Sequence, residues 1–142
     1  MKVPKQLYTI GYGGRRPTEF VEALRASGVR TVVDVRLRPD RAHLGTFVKA
    51  NSPAKGIERV LNAAGIQYRA LPELGNVFRE FPAWESLYSE LIKRAGDLLT
   101  TRVHALEDPL CLLCAERDVQ RCHRRQIADY LAGMGYTVEH IA

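Results

Sequence analysis

The sequence has few cysteines, three in 142 residues, all between positions 111 and 122. An odd count excludes a complete disulfide framework within one chain, and a reducing cytoplasm is the expected home. A single reversible bond, Cys114 to Cys122 for instance, stays open. No apolar run approaches the ~18–20 residues that span a bilayer, so no membrane partner is expected. Met1-Lys2-Val3-Pro4-Lys5 leads into no apolar stretch, which argues against a secretory leader. Repeats, low-complexity stretches and linkers are absent, and residues 1–142 suit one domain with a core of its own. Neither a GxGxxG nor a P-loop signature occurs. No cofactor is implied, and oligomeric state is not readable.

The composition that is there, 46% hydrophobic and 26% charged, is that of a soluble globular chain. A net charge of +5 favours anionic partners, whether small nucleotide-like or phosphorylated molecules or nucleic acid. A solvated basic surface accounts for the same charge.

Strands alternate with helices along the chain. Residues 7–10, 31–35, 66–71, 110–114 and 137–141 read as strands. A helix follows Pro17, which suits a first turn, and Gly28 stops it. Ile57, Val60, Leu61 and Ala64 mark a second helix. Residues 82–99 make the longest, with Trp84, Leu87, Leu91, Ala95 and Leu98 as its apolar stripe. Ile127, Ala128, Leu131 and Met134 face inward from the last. This alternation predicts an α/β, Rossmann-like, three-layer domain: a mostly parallel five-stranded sheet with helices on both faces.

Ligands bind such sheets beyond the carboxyl ends of the strands, and the chemically capable residues fall there. The first strand ends in Gly11-Tyr12-Gly13-Gly14, which precedes a helix and can cradle an anion on backbone N–H groups. A tight turn explains the same glycines. The second ends with Asp34 and Arg36. A carboxylate between Val33 and Val35 must be paired or hydrogen-bonded, so Asp34 either orients an arginine or caps a loop. The third ends near Glu73, a candidate base or loop cap. The fourth ends with Cys114 and Glu116.

Cys114, near Arg117, Arg121 and Arg124, is the candidate thiolate nucleophile or redox thiol, against a buried inert cysteine. Glu116, Asp34 and Glu73 are candidate acid–base groups. Gly11, Tyr12, Gly13, Arg36, Cys122, His123 and Arg124 are candidate substrate contacts. His123 reads equally as a surface histidine, and Arg124 as a structural partner of Glu116 or Asp34. Cys111 and Cys114 have zinc-knuckle spacing, but residues three apart in a strand point to opposite faces. Cys114, Cys122 and His123 can form part of a metal site. With no second ligand pair evident, no metal is assigned.

Thr9-Ile10-Gly11-Tyr12, Val33-Asp34-Val35-Arg36, Leu71-Pro72-Glu73-Leu74-Gly75, and Cys114-Ala115-Glu116 spaced to Cys122-His123-Arg124 together resemble the bacterial and archaeal family named domain of unknown function 488. Members of that family often carry histidine and serine after the first glycine, where this chain has Tyr12 and Gly13. The resemblance implies a compact α/β fold and no particular reaction. Val-Asp-Val-Arg and a late cysteine loop are also similar, by analogy alone, to rhodanese-like sulfurtransferases.

Three functions follow as expectations. The first is an enzyme, a thiol-dependent transferase or hydrolase, acting on a small anionic substrate. The second is a nucleic-acid or nucleotide binding module using Arg15, Arg16, Arg36, Arg38, Arg41 and Lys49. The third is a metal or redox thiol site on Cys114, Cys122 and His123.

Overall fold

The computed structural model describes residues 5–42 and 44–142. Among them, β1 (Gln6–Gly11), β2 (Thr31–Asp34), β3 (Gln67–Ala70), β4 (Leu110–Cys114) and β5 (Thr137–His140) alternate with α1 (Pro17–Ala26), α2 (Gly56–Ala63), α3 (Trp84–Leu99) and α4 (Arg124–Gly133). The strands form one sheet in the order β3-β2-β4-β1-β5, with every neighbouring pair parallel. All of Leu110-Cys111-Leu112-Leu113-Cys114 is buried. A strand apolar on both sides needs a layer of helices on each face, and it takes the centre of the sheet.

The two layers follow from chain direction. Parallel crossovers are right-handed. The helices α1 and α2, which carry the chain toward the β3 edge, therefore lie on one face, and α3 and α4, which carry it back to β5, lie on the other. Phe20, Leu24, Ile57 and Leu61 pack with Ile10, Val32, Cys111 and Leu113. Tyr88, Ile92, Ile127 and Leu131 pack with Leu7, Val33, Leu112 and Cys114. Burying each such aliphatic or aromatic side chain contributes about 1.5–3 kcal/mol. No helix of the described residues is long and apolar enough to cross a membrane.

The stripe expected on the longest helix is corrected. α3 buries Tyr88, Ile92 and Gly96, while Leu87 and Leu98 are exposed. The buried face is carried by residues that an apolar count overlooks. The Tyr88 hydroxyl donates to the Leu74 carbonyl at 2.7 Å. Gly96 admits the Tyr130 ring so closely that a Cβ there would lie 2.4 Å from it. Met134, which follows the last residue of α4, is exposed, and within α4 Arg124 and Gln126 are buried instead.

Candidate functional site

β4 lies between β1 and β2. The chain leaves β1 and β2 toward one face of the sheet and leaves β4 toward the other. Strand ends that diverge in this way open a crevice, the switch point where open α/β sheets bind ligands. Cys114, the last residue of β4, stands at that divergence.

The segment after Cys114 folds back over the strand end. Asp118 accepts the Gln120 N–H at 3.0 Å and caps a 3₁₀ turn, Val119–Arg121. The turn delivers Cys122 and His123, which precede α4. Cys114, Cys122 and His123 are all buried, and their sulfur and ring-nitrogen atoms lie within 4.8 Å of one another. The His123 Nε2 faces the Val35 carbonyl at 2.9 Å. A carbonyl only accepts, so Nε2 carries the hydrogen. Nδ1 then presents its lone pair toward the Cys122 sulfur, 3.8 Å away. The Arg124 backbone N–H points at that sulfur at 3.5 Å.

Cys122 is electrostatically coupled to Cys114. Its hydrogen bond with Cys114 lowers its pKa to about 7 against the cost of burial, helped by the Arg124 backbone and charge. The same bond, with burial, pushes Cys114 up. The N–H at the helix start reaches the Cys122 sulfur, eight residues after Cys114, so Cys122 joins Cys114 as a candidate thiolate. Cys111 faces the opposite cluster, and burial holds its thiol protonated.

Above the cluster lies a cleft of about 660 Å³. Arg36, Arg38, Arg41, Arg79, Arg117 and Arg121 line it, together with Tyr12, Trp84, Glu116 and the three cluster residues. Glu116 is the only carboxylate among the described lining residues. Arg36 is held rigidly. Its Nε and Nη2 donate to the two Asp34 carboxylate oxygens at 2.9 and 2.6 Å, and its Nη1 donates to the Phe47 carbonyl at 2.7 Å. The Tyr68 hydroxyl also donates to Asp34. Burial opposes the charged guanidinium, but Asp34 outweighs it and raises the Arg36 pKa. The guanidinium sits 5.3 Å over the Tyr12 ring, which stacks on Phe47 at 4.5 Å. That cation–π contact adds to its hold.

Four further candidate groups take structural places. Glu73 does not line the cleft; it makes a bidentate ion pair with Arg102 at 2.6 and 2.7 Å, which lowers its pKa. Asp34 is fully buried and spent on Arg36 and Tyr68, so it positions an arginine and has no free oxygen edge for proton transfer. Arg124 does not fork onto a ligand. It is fully buried, and its guanidinium donates to the Glu116 and Arg117 carbonyls and to Thr9 Oγ1. The Gly-rich turn is no anion cradle at Tyr12 and Gly13. Their N–H groups donate to the Cys114 and Ala115 carbonyls at 3.0 and 2.9 Å.

Those glycines exist for close approach. A Cβ on Gly11 would lie 2.0 Å from the Glu116 carbonyl oxygen. Gly11→Ala must displace the 115–117 backbone, and the expected cost is about 2–3 kcal/mol, as for overpacking. Urea denaturation measures it; a loss within experimental error would mean that the loop yields freely.

Sequence reading missed the cleft rim, Arg79, Trp84 and Asn76, which the chain brings from the β3–α3 connection and α3. No local pattern marks them, because their only common feature is where that connection crosses the strand ends. Trp84, expected in the core, packs on the core edge and also lines the cleft.

A family model described as Domain of unknown function DUF488 matches residues 16–131. The chain belongs to this family. The DUF488 match takes in Asp34, Arg36, Cys114, Cys122 and His123, and leaves β1 and β5 outside. No curated protein and no solved structure gives a significant match.

Proposed function

We propose that this protein is an enzyme acting on a small anionic substrate, nucleotide-like or phosphorylated, with an activity that depends on its two buried cleft thiols. The observation that carries the reading is one juxtaposition: six arginines line the cleft in which Cys114, Cys122 and His123 lie. Arginine forks match phosphate and carboxylate oxygens. A substrate held on them would rest against sulfur and imidazole, with Glu116 at hand for proton transfer. The cleft volume falls in the range of small-molecule sites. Three free thiols suit a reducing compartment such as the cytoplasm, and residues 1–142 are read as one domain.

Arg41 and Arg117 make no ion pair among the described residues, so they are the arginines to remove. Each charge-assisted hydrogen bond lost should cost about 1.5–3 kcal/mol. Binding of adenosine monophosphate by the Arg41→Ala/Arg117→Ala variant, followed by calorimetry, should fall at least about tenfold with an unchanged melting temperature. Blocking the thiols with a maleimide should abolish turnover of the substrate that a nucleotide and phosphoester screen identifies. Undiminished binding by the double variant would sink the proposal.

The same titration separates a nucleic-acid module. Its affinity would fall with salt by ~0.7–0.9 of a logarithm per neutralised phosphate, summed over many contacts. A small anion gives a shallow slope. Arg15 is tied to the Gly11 carbonyl and Arg36 to Asp34, which removes two of the cations that reading needs.

A further inference from the structure

We propose that Cys114, Cys122 and His123 bind one divalent transition-metal ion of the zinc class, with a fourth coordination position open to the arginine-lined cleft. The inference rests on the reading of the cleft as an active site and names its cofactor. It casts the two thiols as ligands.

Distance is the first argument. Zinc–sulfur and zinc–nitrogen bonds of about 2.3 and 2.0–2.1 Å at tetrahedral angles place ligand atoms roughly 3.5–3.8 Å apart. Cys122 Sγ and His123 Nδ1 are 3.8 Å apart, and all three donor atoms lie within 4.8 Å. Small side-chain rotations close the remaining gap.

The second argument is the outer shell. Metal-bound histidines donate their other ring N–H to a carbonyl or carboxylate, which fixes tautomer and ring orientation. His123 does this with Val35 at 2.9 Å. The ring is locked further by Tyr88, edge-on at 5.1 Å between centroids. The Arg124 N–H on the Cys122 sulfur at 3.5 Å is the kind of contact that supports a coordinated thiolate.

Charge is the third. A cation is repelled from a cleft of arginines unless its ligands cancel it. Two thiolates bring two negative charges, and a divalent ion makes the centre neutral. Ligation sends the two thiol protons to solvent. Arg41 and Arg117, which make no ion pair among the described residues, are left to draw in an anion.

Ligand number assigns the type of site. No fourth Cys, His, Asp or Glu joins the group among the described residues. Closed structural sites carry four protein ligands, and three plus an open position mark a catalytic one. The open position takes water or an oxygen of the anionic substrate. Cys111 stays outside, on the other face of the sheet.

The test is cobalt(II) titration of the full-length protein, reduced with a phosphine and freed of metal. One equivalent should give the intense visible bands of a tetrahedral ion with sulfur-to-cobalt charge transfer, and zinc should displace it. Cys114→Ser and Cys122→Ser should weaken binding by at least the ~100-fold that loss of even an outer partner can cause. Cys111→Ala should bind as the parent does. Should the serine variants fold poorly, the parent's melting temperature supplies a second reading, rising with zinc and falling with chelator.

A weak octahedral spectrum overturns the metal site. So does unaltered binding by both serine variants. A Cys114–Cys122 disulfide in the protein as isolated, with no cobalt bound after reduction, overturns it in favour of a dithiol pair. The two proposals fail separately. Loss of nucleotide binding in the Arg41/Arg117 variant without any cobalt site removes only the ion. A cobalt site with nucleotide binding indifferent to those arginines removes only the anion reading.

Discussion

Asp34→Ala is expected to lose about 3–5 kcal/mol of stability, the cost of leaving a buried charge without its partner. In a chain of this size that lowers the melting temperature on the order of 10 °C. Asp34 is fully buried and Arg36 is 6% exposed, so water cannot take over the lost bonds. Alanine leaves the Arg36 Nε and Nη2 without their acceptor and strands the Tyr68 hydroxyl, which burial and the Asp34 charge keep protonated. Replacing both ends of the pair, as in Asp34→Leu/Arg36→Met, should cost less than Asp34→Ala alone, because the penalty lies in the orphaned charge. Urea unfolding of the two variants decides the matter. A double variant less stable than the single would mean that the pair itself is the stabilising element.

Arg124→Met is expected to cost about 3 kcal/mol or more, since each buried acceptor left unpaired costs about 1–3 kcal/mol. Arg124 is the largest fully buried side chain. Its guanidinium ties two carbonyls of the loop after β4 to Thr9 on β1, and Thr9 in turn contacts His140 on β5 at 2.7 Å. One side chain thus joins the loop that brings Cys122 back to Cys114 with two neighbouring strands. Methionine retains the volume but none of the donors. Lysine offers one ammonium in place of a planar fork and should fall between the two. The loss should be local as well as global, with faster hydrogen exchange at residues 116–121 than elsewhere. Uniform acceleration across the protein would show that Arg124 supports the core and not the loop in particular.

Much of the architecture was legible because it follows from periodicity. Leu110 to Cys114 is apolar at every position, and such a run in an α/β chain belongs in the middle of a parallel sheet. Gly28 has positive φ, 69°, and stands where a helix stop was expected. The stripe of α3 was misplaced because its buried face runs through a tyrosine and a glycine, Tyr88 and Gly96. Their burial depends on Leu74 and Tyr130, partners distant in sequence.

The site divides in the same way. Residue type and strand ends determined by themselves that sulfur, carboxylate and guanidinium groups collect at one edge of the sheet, because parallel strands all end on the same side. Which groups meet there was decided by tertiary structure. Asp34 reaches Arg36 within its own strand end, whereas Glu73 is drawn to Arg102, 29 residues on. Arg124 turns under the loop instead of into the cleft. Cys114 and Cys122 are joined only by the path of the 115–121 loop, which also sets the backbone N–H that α4 aims at Cys122. Sequence spacing carries no information about that aim. It is fixed by a buried guanidinium and two glycines at which no Cβ would fit, contacts that exist only once the sheet has closed.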